Sequence, residues 1–114
     1  MNALQFVASL RMQDIKPASV WIDAVPAKPF PAWFSGSVHA EIGDDESVSD
    51  MDFRPLVGLT VHLGARGSRQ ERVRRLAKRV AEAKPALLCV YSDEGGKFVM
   101  HRLWADGRSD RSST

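Results

Sequence analysis

The sequence predicts an α+β domain: a mainly antiparallel sheet of five or six strands, in the order β-β-β-β-α-β-β, with one helix packed on one face. Three observations predict it. Only the segment from Ser68 to Lys84 carries helix start and stop signals around an apolar period of 3.6 residues. The other apolar segments are short, rich in Val, Ile, Leu, Thr and aromatic residues, and bounded by Gly, Pro or Asp. The chain has 114 residues, 44% of them hydrophobic and 26% charged, which supports one core and leaves no room for a second.

The elements follow in order. Leu4 to Met12 reads as a strand, with a short helix as the alternative. Ser19 to Val25 and Ser37 to Ile42 alternate apolar and polar residues, as half-buried strands do. Between them, Pro26, Pro29 and Pro31 impose an extended path that cannot donate to a ladder at those positions. Gly43 to Asp52 is an acidic loop. Leu56 to Leu63, bounded by Pro55 and Gly64, is a fourth strand.

The helix opens with Ser68 and Glu71 in a capping box, and Pro85 stops it after Lys84. Val73, Leu76 and Val80 share its core face, while Arg72, Arg75, Lys78 and Arg79 lie opposite. Ala86 to Tyr91 is a near-continuous apolar run, as in a central strand. It joins Lys97 to Trp104 through a turn at Asp93 to Gly96, forming a hairpin. The strand before the helix and the strand after it are expected to run parallel. The domain covers residues 1–105, and residues 106–114 form a flexible polar tail.

Charge is divided unevenly. Residues 1–55 hold four basic and eight acidic side chains, and residues 56–114 hold twelve basic and six acidic. The net charge of +2 therefore conceals −4 in the first half and +6 in the second. Both blocks are expected on solvated surface, with Glu71–Arg75 and Glu82 with Lys78 or Arg79 pairing along the helix.

Several functions are excluded or disfavoured. No apolar run approaches the roughly 20 residues of a membrane span. Met1 to Met12 has no basic start before an apolar stretch, so no signal peptide is expected, and the default location is the cytoplasm. The lone Cys89 excludes a disulfide framework, and its place in an apolar strand makes an inert thiol. No nucleophile elbow occurs, so no catalytic residues are assigned and the reading leans away from an enzyme. His39, His62 and His101 lie on expected strands without a ligand motif. Alternation puts His101 on the opposite face from the other two, so no metal or cofactor is expected.

Three functional readings remain. The first is a non-catalytic interaction or accessory protein, homodimeric or bound to another protein. One helix cannot cover both faces of such a sheet. The contact would use the second face or the apolar loop bearing Phe30, Trp33 and Phe34. The second is a nucleic-acid-binding module using Arg66, Arg69, Arg72, Arg75, Lys78 and Arg79. The third is an anion or small-molecule site at the helix start, built from Arg66, Gly67, Ser68 and Arg69.

Overall fold

The computed structural model describes residues 3–24, 32–34, 37–42, 50–65, 70–94 and 96–113. The elements are α1 (Ala3–Met12), β1 (Ser19–Ala24), β2 (Ala32–Phe34), β3 (Ser37–Ile42), a 3-10 turn (Arg54–Leu56), β4 (Thr60–Ala65), α2 (Gln70–Glu82), β5 (Leu87–Glu94), β6 (Lys97–Trp104) and β7 (Ser109–Ser113). All seven strands belong to one sheet, in the order β2-β3-β1-β4-β5-β6-β7.

The α+β class stands, but the sheet is mixed and the described residues hold two helices. β1 pairs parallel with both β3 and β4, and β4 pairs parallel with β5. Antiparallel pairing is confined to the flanks, β2 with β3 at one side and β5-β6-β7 at the other. The expected parallel relation across α2 is present, and the expected hairpin joins β5 to β6.

The first correction concerns residues 4–12, which form a helix instead of a strand. Leu4 and Val7 are buried one turn apart, and Phe6 and Leu10 pack against the same core. The helix ends in a left-handed residue, Asp14 (φ 58°), and the Ile15 amide donates to the Leu10 carbonyl at 2.9 Å. Arg11 in the last turn donates to the Val57 carbonyl at 2.8 Å, which fastens α1 to the segment after the 3-10 turn.

The second correction is at the C-terminus, where the expected flexible tail contains β7. Its residues pair with β6 from Ser109↔Leu103 to Ser113↔Val99. Two turns prepare this return. The Trp104 amide donates to the Arg108 carbonyl at 2.9 Å, and Gly107 takes a left-handed φ of 92° that suits glycine.

Both helices cover the same face of the sheet. Val20, Ile22, Val61, Leu63 and Leu88 stand in register across β1, β4 and β5 and are buried. Over them lie Leu4 and Val7 from α1 and Val73, Leu76 and Val80 from α2. Met51, Phe53, Leu56 and Leu59, from the segment between β3 and β4, complete one continuous core. The three α2 residues are those that its apolar period singled out. At its far end, Lys84 adopts a left-handed φ of 56° and its carbonyl accepts from the Gly58 amide at 3.2 Å.

Candidate functional site

The second face of the sheet has no helix among the described residues. Strand alternation puts every other residue of the core-lining strands on it. Pairing order then decides which of these meet. Trp21 on β1 is in register with His62 on β4, and His62 is in register with Cys89 on β5. Tyr91 lies two residues beyond Cys89 on the same side of β5. β4 is the fourth of seven strands, so these side chains mark the middle of the face.

The rings form one cluster. The Trp21 and His62 centroids are 4.9 Å apart with planes 24° from parallel, and Trp21 and Tyr91 are 5.1 Å apart. His62 and Tyr91 are 5.9 Å apart, and Nδ1 of His62 hydrogen-bonds the Tyr91 hydroxyl at 3.0 Å. All three residues are partly buried. Such pairs contribute about 0.5–1.5 kcal/mol each beyond simple area burial.

Burial also sets the charge state of the cluster. It lowers the pKa of His62, because removing water disfavours the imidazolium. It raises the Tyr91 phenol, with the Cys89 thiol adding to the rise. Cys89 is 3% exposed, and burial pushes its thiol up against the opposing pull of Arg102. At neutral pH the centre of the face is therefore an uncharged imidazole, phenol and thiol.

A more polar border surrounds it on the β6–β7 side. Met100 and Arg102 are in register with Tyr91 and Cys89, and Trp104 with Leu87. Nε of Arg102 donates to Oδ1 of Asp110 at 2.8 Å, and its guanidinium lies 5.1 Å from the Trp104 ring centre. Arg108 approaches the same ring at 5.2 Å. Asp110 keeps its carboxyl below the usual range through that hydrogen bond from Arg102.

The residues singled out from sequence fare differently. Arg66, Gly67, Ser68, Arg69 and Phe30 lie outside the described residues. Trp33 and Phe34 are on β2, a short edge strand, and not in a loop. On α2, Arg75 and Lys78 are exposed, and Arg72 is partly buried. Arg79 turns inward: Nη2 donates to the Met51 carbonyl at 3.1 Å, and the guanidinium lies 5.2 Å from the Phe53 ring centre. Arg79 also approaches Glu82 at 3.9 Å, one of the two pairings expected for that glutamate. Glu71 stands 3.9 Å from Arg74, where the sequence suggested Arg75. The basic stripe of α2 is thus partly spent on the protein's own contacts.

His101 is in register with Val90 and so belongs to the helix-bearing side, opposite His62. Among the described residues no three His, Cys, Asp or Glu side chains gather as metal ligands. No described helix is long and apolar enough to cross a membrane. A cleft of about 250 Å³ lies where the end of α2 meets β5 and β6, walled by Ala81, Leu88, Leu103 and Trp104. Its lining is largely apolar, with Glu82 and Lys84 its charged residues.

Compared with family models, curated proteins and solved structures, the chain matches none.

The ring cluster escaped the sequence reading. Trp21, His62 and Tyr91 each lie within segments that the sequence marks as strands. Their meeting depends on β1, β4 and β5 being neighbours, and no local signal states that order.

Proposed function

We propose that the protein is a non-catalytic interaction protein that works as a homodimer, with the helix-free face of its sheet as the contact surface. One observation carries this reading: both described helices pack on one face, while the other carries Trp21, His62, Tyr91, Met100 and Trp104, each partly buried. Trp, Tyr, Met and Arg are the residues enriched where proteins meet. Trp21, His62 and Tyr91 sit centrally and the Arg102–Asp110 pair sits towards one edge, as in interfaces whose binding energy concentrates at the centre.

The size of the face agrees with such a role. Strands about 4.8 Å apart and about 3.3 Å per residue give seven strands a face roughly 30 Å wide and 20 Å tall. Its projected area of about 600 Å², with side-chain relief added, approaches the roughly 800 Å² per partner of a standard interface. Two such faces pack at about 10 Å in a β-sandwich.

Light scattering coupled to gel filtration, at tens of micromolar and neutral pH, tests the reading. The chain of 12.6 kDa should elute with twice that mass. Trp21→Glu, which puts a charge at the centre of the face, should reduce it to one chain while circular dichroism stays unchanged. A single-chain mass for the unmodified protein, or a folded Trp21→Glu variant that still pairs, contradicts the proposal.

A further inference from the structure

We infer that His62 makes the self-association pH-dependent: two copies close face to face while the His62 rings are neutral, and separate when they take up protons. The inference rests on the proposed dimer and adds its regulation.

Position is the first argument. His62 lies on the middle strand, with Trp21 on one neighbouring strand and Tyr91 on the other. Two sheets packed face to face can differ in crossing angle and offset. Edge strands are covered or left open according to those choices. The middle strand is covered whenever most of the face is used. A twofold pairing also contributes one His62 from each copy, so two like charges would approach if both rings were protonated.

Chemistry is the second argument. Nδ1 of His62 bonds the Tyr91 hydroxyl, and among the described residues Nε2 has no hydrogen-bond partner. In a single copy that nitrogen can be hydrated. A second sheet laid over it removes water, which a neutral ring tolerates far better than a cation. Protonated His62 would gain some attraction for the Trp21 face, but that attraction is smaller than the loss of hydration of a buried charge.

The titratable and charged positions around His62 are spread over its neighbouring strands. On β1 the same face carries Trp21 and the Asp23 position. On β5 it carries Cys89 and Tyr91, whose pKa values are both raised, so they stay neutral as acid is added. On β4 itself Thr60 and Gly64 flank His62. One strand further out lie the His39 and Glu41 positions of β3 and, on β6, Met100 and Arg102, the latter bonded to Asp110.

The sign follows from the direction of the shift. The neutral ring is favoured already in one copy and more so in two. The contribution of His62 to association is therefore present above the single-copy pKa and is lost as pH falls through and below it.

Sedimentation equilibrium at pH 7.5 and pH 5, with circular dichroism to verify folding at each, tests this. The dimer dissociation constant should rise at pH 5, approaching a slope of about a hundredfold for each pH unit below the single-copy pKa, since two protons are excluded from each closed dimer. His62→Gln, which keeps a polar partner for Tyr91, should still dimerise at pH 7.5 and lose most of that rise. His62→Phe gives a second uncharged variant should Gln disturb folding. His39→Gln should keep the rise in full. A pH-independent constant in the unmodified protein overturns the inference, and so does a full rise in folded His62→Gln or its loss in His39→Gln. A single chain at every pH instead overturns the dimer itself.

Discussion

Leu76 lies fully buried on α2 in contact with the core shared by both helices. Replacing it with alanine removes buried methyl groups and leaves a cavity, which in such settings costs about 2–5 kcal/mol. Urea unfolding of Leu76→Ala should show that loss, and a change below about 1 kcal/mol would mean that α2 does not pack as described. Lys84 carries the opposite expectation. Its left-handed φ of 56° is costly for any residue with a Cβ. Lys84→Gly should therefore stabilise the fold by about 0.5–1 kcal/mol after the entropy cost of glycine, read as a higher melting temperature. Both residues were legible in part. The spacing of Val73, Leu76 and Val80 announced a buried face, and Pro85 announced a helix end. The backbone conformation of Lys84 was not legible, because lysine is not a residue that signals it. The Trp21–His62–Tyr91 cluster was illegible for a different reason: each ring lies on a different strand, and alternation gives a face without naming neighbours.

The elements divide by how much of their specification is local. β1, β3, α2 and β6 lie close to where alternation or helical period put them. α1 does not, because an apolar stretch of about nine residues satisfies both periods loosely. What decides it is burial of Leu4 and Val7 against Leu56 and its neighbours, a tertiary contact. β7 was hidden because Ser109, Asp110, Arg111, Ser112 and Ser113 carry no apolar face at all. A polar edge strand gains little from burial and is held by its ladder and by the Arg102–Asp110 contact. Such an edge also discourages unwanted strand addition. Amide hydrogen exchange distinguishes a strand from a tail. Roughly alternate amides between Ser109 and Ser113 should exchange more slowly than an unstructured chain, because only one side of an edge strand faces its neighbour. Uniform, unprotected exchange across the whole segment would contradict the strand.

For the whole molecule, the largest departure from expectation is the parallel centre of the sheet. An apolar/polar alternation looks the same in parallel and antiparallel strands, so the pairing of β1 with β3 and β4 could not be read from it. The order follows from the connections: β4 lies on the far side of β1 from β3, and residues 50–59 leading into it bury Met51, Phe53, Leu56 and Leu59. That segment fills the side of the sheet that α2 alone could not, and the two helices and this segment together complete one core. A radius of gyration of 13.4 Å is what a single folded domain of this length should have, about 13 Å. The consequence reaches function. With both described helices on one side, the ring cluster on the other is where a second copy is proposed to dock. The most direct measurement is an isotope-filtered nuclear Overhauser experiment on dimers assembled from labelled and unlabelled chains at neutral pH. The account predicts intermolecular signals from the rings of Trp21, His62 and Tyr91 and from the Met100 methyl. Intermolecular signals confined to α2 or to the outer edge of β7, with none from those four residues, would contradict it.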